Sequence, residues 1–262
     1  MSSVVLSAEG LHIQMAGQML VRNVNFELRS GQILGIIGES GSGKSLTCLS
    51  LLGLLPEAQV QGHIHFVGRE LVGLPNREMR RIRGAGIGMI LQNPVTYFNP
   101  IATIGQQFCE TLRTHRSISQ TTANTIAAEH LCTVGLTTPD RILKQYPFQL
   151  SGGMLQRLMI AIAIALKPQV LIADEPTTAL DMITQIQILQ ILKQLQQQTQ
   201  CAMLLVTHDL GVIAQMADQV AVMRHGEFLE QCDVTQLFDC PQHPYTRSLL
   251  ASRLRGGRAQ QF

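Results

Sequence analysis

Residues 33–45 read ILGIIGESGSGKS, and this stretch decides the fold of the chain. A continuous apolar run, Ile33 to Ile37, suits a strand of a parallel sheet covered on both faces. The run stops at a match to G-x-x-x-x-G-K-[ST] that holds at every fixed position, and LTCLSLLGLL then predicts a helix. Strand, glycine loop and helix are the context in which this spacing cradles phosphate. The glycines let backbone N–H groups wrap the anion, Lys44 brings a point charge to the β and γ oxygens, and Ser45 offers a hydroxyl to Mg²⁺. Gly38, Glu39, Ser40, Gly41, Ser42, Gly43, Lys44 and Ser45 are therefore the candidate nucleotide-binding residues.

Three further β-branched runs follow the same grammar: GIGMIL at 86–91, VLIAD at 170–174 and MLLVT at 203–207. Helical patterns such as ITQIQILQILKQL lie between them, so the core is α/β. VNFEL and HIHFVG nearer the N-terminus predict an added antiparallel β layer. From about 95 to 165 the pattern turns helical, with TIGQQFCETLRTH and ANTIAAEHLCTVG both reading as amphipathic. The expected organisation is a single domain: a core with its β layer over 1–94 and 166–235, an inserted helical subdomain over 95–165, and a C-terminal element over 236–262.

A strand burying Val170 to Ala173 would deliver Asp174 to its carboxyl end, where open α/β sheets bind ligands. Asp174 would hold Mg²⁺, and Glu175 next to it is placed to polarise an attacking water. MLLVTHD ends its strand at His208, which on its own reads as readily as a polar structural residue as a site residue.

A second anion-seeking element lies about a hundred residues after the phosphate loop. In QLSGGMLQR, Ser151 is a good N-cap for the apolar helix LMIAIAIAL, and Gly152 and Gly153 allow close approach to the backbone. A helix start of this kind suits an anion, yet it has no lysine or acid of its own.

Composition narrows the field. A net charge of +2 is too small to argue for a nucleic-acid partner, while 45% hydrophobic residues against 15% charged suit a surface covered by another protein. Six scattered cysteines without a C-x-x-C pair read as reduced thiols rather than a disulfide frame or zinc site. MSSVVLSAEG lacks the features of a signal peptide, and no apolar run approaches membrane-spanning length. These features predict a cytoplasmic protein. His63 and His65 share a strand face and could ligate metal, but no third ligand is evident and a plain strand explains them. The basic run NREMRRIRG reads as a solvated helix face and loop, or as a contact for anionic lipid.

Taken in order, GESGSGKS, the glutamine of MILQNP (Gln92), LSGGM (Leu150, Ser151, Gly152, Gly153, Met154), LIADEP, ALD (Leu180, Asp181) and THD resemble the ATP-binding-cassette family of transporter ATPases along almost the whole chain. The resemblance implies a RecA-like P-loop ATPase core and ATP with Mg²⁺ as ligands. It also implies a head-to-tail pair of cassettes in which LSGGM of one subunit contacts the γ-phosphate held by the other. Ser45, Gln92 and Asp174 would be the metal-side residues, Glu175, His208 and Gln92 the catalytic ones, and Asp181 the link between the two composite sites. The family stacks an aromatic ring on the adenine where this chain, by register in GLHIQMAGQ, has Met15, whose thioether packs more weakly.

CPQHPYTRSLL at 240–250, the second Asn-Pro of MILQNPVTYFNP, and RIRG at 81–84 are similar to cassettes of peptide and nickel importers. Within that group, Phe148 and Leu155 stand where peptide-type members commonly carry His and Arg, and 17 residues follow Tyr245, a short tail. Both features place the chain nearer the nickel-importer subunit, with a di- or oligopeptide importer as the alternative and a non-transport cassette ATPase behind them. Such an importer implies a second cassette chain, identical or different, two membrane permease subunits and an extracytoplasmic binding protein. The chain itself would sit peripherally on the cytoplasmic face of the bacterial inner membrane.

Overall fold

In the computed structural model, which describes residues 3–178 and 180–258, the elements in chain order begin with β1 (Val4–Met15), β2 (Gln18–Arg29), β3 (Ile33–Ile37), α1 (Lys44–Leu51), β4 (Gln59–Phe66) and β5 (Arg69–Glu70). They continue with α2 (Asn76–Ile82), β6 (Ile87–Ile90), α3 (Pro94–Tyr97), α4 (Ile104–His115), α5 (Gln120–Thr133), α6 (Pro139–Ile142), a 3₁₀ turn at Pro147–Gln149, α7 (Gly152–Ala165), β7 (Val170–Asp174) and α8 (Met182–Thr199). The last are β8 (Ala202–Thr207), α9 (Leu210–Met216), β9 (Gln219–Arg224), β10 (Glu227–Asp233), α10 (Val234–Asp239) and α11 (Pro244–Arg258). The described residues divide into two compact units, one that runs to Pro75 and resumes at Ala202 and another between Asn76 and Cys201.

The first unit holds both sheet types that the sequence predicts. β1 and β2 form a long antiparallel hairpin, turned at Ala16 (φ 48) and Gly17 (φ 80), backbone values that suit a tight hairpin turn. β4 pairs with the other edge of β1, so VNFEL and HIHFVG flank one strand in an antiparallel layer. Leu6, Ala8, Leu11 and Ile13 of β1 and Val21, Val24, Phe26 and Leu28 of β2 supply its buried face. β3 runs parallel to β8 on one side and to β9 on the other, with β10 antiparallel at the edge. All five residues of β3 and all six of β8 are buried, which explains their unbroken apolar reading. α9 seats directly on β3, because a Cβ at Gly35 would lie 2.5 Å from Ile213 Cδ1.

In the second unit β6 and β7 pair in parallel, Ile87 opposite Val170 through Ile90 opposite Ala173. α7 is apolar nearly all round and is buried accordingly, through Leu155, Leu158, Met159, Ile160 and Ile162 among others. Its carbonyl at Ala163 comes within 3.0 Å of where a Gly88 side chain would begin, so glycine in β6 lets helix and strand close up. α4 shows the expected amphipathic stripe, burying Ile104, Phe108, Cys109 and Leu112 behind a Thr103–Gln106 capping box. α5 departs from that reading: it buries only Ala123, Ala127 and Leu131, a narrow stripe of mostly small side chains.

The helix after the phosphate loop is also shorter than LTCLSLLGLL predicts. It ends at Leu51, where Gly53 turns left-handed (φ 59) and the Leu54 N–H returns to the Leu49 carbonyl. Among the described residues no helix is long and apolar enough to cross a membrane.

Candidate nucleotide site

The phosphate loop leaves β3 at Ile37 and enters α1 at Lys44. Gly41 (φ 78) and Gly43 (φ 106) occupy backbone conformations that side-chain-bearing residues rarely adopt, which lets the loop curl its N–H groups inward. Nothing lies within 4 Å of where a Gly41 Cβ would point, whereas a Cβ at Gly38 would sit 2.2 Å from the Met223 carbonyl oxygen. Thus Gly38 is required by close packing and Gly41 by backbone shape. Lys44 is buried, and its Nζ donates to the carbonyls of Gly38 and Glu39, both at 2.9 Å. The ammonium is held over the loop it serves.

Ser42 is buried too, and among the described residues its hydroxyl has no hydrogen-bond partner, a polar group left available inside the loop. Sequence reading missed what braces this loop from outside. Gly226, in the β9–β10 turn, donates its N–H to the Ser42 carbonyl at 2.9 Å, and its own carbonyl accepts from the Arg22 N–H at 2.8 Å. No local spacing signals that contact, since it joins positions 42 and 226.

His208 follows β8. The parallel register Ile37 opposite Thr207 brings His208 and Gly38 out of the sheet at the same end. His208 is exposed, while Asp209 behind it caps α9 through the Gly211 N–H at 2.7 Å. Met15 is half-buried at the tip of β1, opposite Gln18.

The acidic residues and the signature belong to the second unit. Ile90 opposite Ala173 puts Gln92 and Asp174 beyond the same end of the β6–β7 ladder. Asp174 and Glu175 are both buried, at 5% and 8% exposure. Glu175 takes a left-handed conformation (φ 50), a sparsely populated state for such a residue, and its Oε2 accepts from the Thr178 hydroxyl at 2.8 Å.

Ser151 caps α7 as expected: its hydroxyl accepts from the Met154 N–H at 3.3 Å. Gly152 has open space beyond its Cα, while a Cβ on Gly153 would meet Thr184 Cγ2 at 3.0 Å. Thr184 in turn donates its N–H to Asp181 Oδ1 at 3.0 Å and its hydroxyl to Oδ2 at 2.7 Å. The structure therefore brings LSGGM and Asp181 together through Thr184, with Asp181 as the N-cap of α8. Hydrogen bonds from the Thr184 N–H and hydroxyl hold the Asp181 carboxyl below the usual range. Gln156, buried in α7, donates to the Pro176 carbonyl at 2.7 Å, so the helix behind the signature grips the loop that carries Glu175.

Hard oxygen donors are what Mg²⁺ takes, and Ser45, Asp174 and Gln92 offer them. In the first unit the glycine-shaped cradle and the available Ser42 hydroxyl suit a nucleotide's phosphates, and in the second Asp174 and Gln92 suit the cation that accompanies them. The paired histidines do not offer a metal site. Glu70 accepts from His63 Nδ1 at 2.7 Å and spends its other oxygen on the N–H groups of Ile64, Leu71 and Val72. Among the described residues no cluster of three ligating side chains is disposed to hold a metal ion.

The model of the ABC transporter family matches residues 21–178. This chain belongs to the ABC transporter family. It is 46% identical over 255 residues to the dipeptide transport ATP-binding protein DppD of Bacillus subtilis (strain 168), covering 95% of this chain and 76% of that one. It is also 46% identical over 237 residues to CntD, the ATP-binding protein of the metal-staphylopine import system of Staphylococcus aureus (strain NCTC 8325 / PS 47), covering 90% and 88%. A solved dimer of the ATP-binding cassette MJ0796, in a post-hydrolysis state bound to ADP and Pi, superposes with a TM-score of 0.77 at 28% identity, over 87% of this chain and 98% of that one. The ABC fold, an α/β cassette with antiparallel and parallel sheets, is thereby established, and with it membership of an ATP-hydrolysing family.

Proposed function

We propose that this ABC ATPase is the motor subunit of a multi-subunit importer for small peptides or peptide-like ligands. The observation that carries the motor reading is the glycine-shaped loop holding buried Lys44. The cargo reading rests on kinship with a dipeptide transport protein. That kinship revises the sequence-based order, which put nickel first on Phe148, Leu155 and the tail length. Metal cargo stays as the second reading because a relative of equal identity serves a metal-staphylopine import system.

In the mechanism we infer, Lys44 and the loop N–H groups would hold the β- and γ-phosphates in place. Ser45, Gln92 and Asp174 would hold Mg²⁺, which supplies charge neutralisation on the phosphate oxygens. Glu175 would orient and deprotonate the attacking water, with Thr178 fixing its carboxylate. His208 would contact the γ-phosphate, and Met15 would pack on the base. Leu150 to Met154 would complete the site of a second cassette chain, identical or different, with Asp181 coupling the two. Catalysis of this type is positioning plus electrostatic stabilisation.

For the division of labour we propose nucleotide handling over 1–94 and 166–235, transmission through 95–165, and a C-terminal element from 236 onward, of which 259–262 lie outside the described residues. Two membrane permeases and an extracytoplasmic binding protein would complete the importer, with this chain on the cytoplasmic face and no role for nucleic acid. Exposed apolar side chains in the second unit support a protein partner: Val95 at 62%, Ile101 at 84% and Phe148 at 74%, the last stacked on Tyr146.

The test is ATP hydrolysis by the reconstituted complex with its own binding protein. Stimulation by a dipeptide is expected. Stimulation by Ni²⁺ alone would restore the nickel reading, and no hydrolysis at all would overturn the motor reading.

A further inference from the structure

The HPYT stretch served above only as a mark of kinship, yet the structure packs it against the phosphate loop. Glu230 on β10 accepts the N–H of Gln242 at 2.7 Å and of His243 at 2.9 Å, which pins the start of α11. His243 Nδ1 then accepts the Tyr245 N–H at 3.1 Å. From this anchored turn the Tyr245 side chain is buried, with the Arg224 guanidinium 4.4 Å from its ring centroid. Arg224 closes β9, one residue after Met223, whose carbonyl faces Gly38, and two before Gly226, which holds Ser42. The tyrosine is thus built into the outer wall of the phosphate loop.

Its hydroxyl is the unusual part. The oxygen is buried and, among the described residues, closes no well-formed hydrogen bond, yet both the carboxylate and the backbone of Glu39 lie close enough to act on it. Burial first, and then that carboxylate, push the phenol above its ordinary range, so the group is a donor at any physiological pH. A buried donor held this loosely is costly, and a phenylalanine would pack the same ring without the cost. The hydroxyl therefore makes sense if another state of the loop satisfies it. Glu39 is exposed and lies within the phosphate loop itself, between Gly38 and Ser40.

We propose that Tyr245 is a positioning residue of the nucleotide site: braced by Arg224, its hydroxyl engages Glu39 when the loop closes on nucleotide, so the C-terminal element sets the affinity for ATP. This rests on the reading of Gly38 to Ser45 as the ATP site. It goes beyond that reading by adding α11 to the machinery and by giving the Glu39 carboxylate a role.

The experiment is MgATP binding to the full chain, with melting temperatures taken with and without nucleotide, for wild type, Tyr245→Phe, Glu39→Gln, the double variant and Arg224→Gln. Tyr245→Phe should melt no lower than wild type without nucleotide, bind MgATP about fivefold more weakly, and gain less from nucleotide on melting. In the Glu39→Gln background the same change should cost little more, because the two residues act as one pair. Arg224→Gln should weaken binding in the same direction by a smaller factor. A Tyr245→Phe protein that melts lower but binds normally would make the tyrosine a plain packing residue, and independent losses in the double variant would remove Glu39 as its partner. Either result overturns the proposal. Wild type that binds no MgATP would instead overturn the ATPase reading itself, and this inference with it.

Discussion

The phosphate loop and the signature helix are both helix starts shaped for an anion, and they solve the problem differently. At α1 the cap is Gly43 in the left-handed region with no side-chain hydrogen bond, preceded by glycines and followed by a buried lysine. Its helix start is left unsatisfied by side chains and charged. At α7 the cap is Ser151 in an extended conformation, already bonded to the first turn, with no basic residue there. In the proposed mechanism the first start would hold a phosphate by itself, whereas the second would add contacts to a phosphate held elsewhere. Two elements with the same electrostatic logic can therefore be complementary halves rather than duplicates.

The largest expected effect comes from neither helix. Glu175→Gln should lower ATP turnover about 10³-fold, the usual size for loss of a general base, with MgATP binding intact. Steady-state hydrolysis and equilibrium binding on the same preparation check this, and retained hydrolysis removes Glu175 from its role. Next, Lys44→Ala should cost about 10²-fold in turnover and also weaken nucleotide binding by the chain itself, since it removes the loop's own charge. Ser151→Ala should cost turnover about tenfold while leaving that binding unchanged, from loss of a cap and of one phosphate contact. If Ser151→Ala instead weakened binding as Lys44→Ala does, the contrast between the two helix starts would collapse.

The smallest effect lies away from both helices and shows how little a well-formed polar cluster adds when exposed. Burial alone would raise the Glu70 carboxyl, but the N–H groups of Val72 and Ile64 and the His63 ring outweigh it and hold the group below its ordinary value. A depressed carboxyl stabilises the fold above its unfolded pKa, near pH 4, and loses that contribution as pH falls through the lowered folded value. Glu70→Gln should accordingly melt slightly below wild type at neutral pH, and the gap should close on acidification below about pH 4. A gap that widens toward acid would reverse the assignment.

Much of the candidate site was legible in advance because its signals are local. A lysine six residues after a glycine, an acid at the end of a buried strand and a serine before two glycines each report a backbone shape within one turn or loop. β3, β7 and β8 were legible for the same reason, since burial on both faces leaves an unbroken apolar run. The end of α1 was not, because Leu54 and Leu55 continue the apolar pattern past a glycine that in fact terminates the helix. The narrow stripe of α5 was misread because alanines look apolar wherever they point, and only packing selects Ala123 and Ala127.

The family and the α/β order of elements were thus readable from sequence, which also named the residues proposed to face a phosphate. Tertiary structure alone decided which residues support them: Thr178 on Glu175, Gln156 on Pro176, Thr184 between Gly153 and Asp181, and Gly226 and Tyr245 around the phosphate loop. The physical reason is range. Dihedral preference and periodicity act over a few residues and leave their mark in spacing. A hydrogen bond between positions 42 and 226 depends on strand register and on where a whole hairpin comes to rest, which no short stretch of sequence encodes.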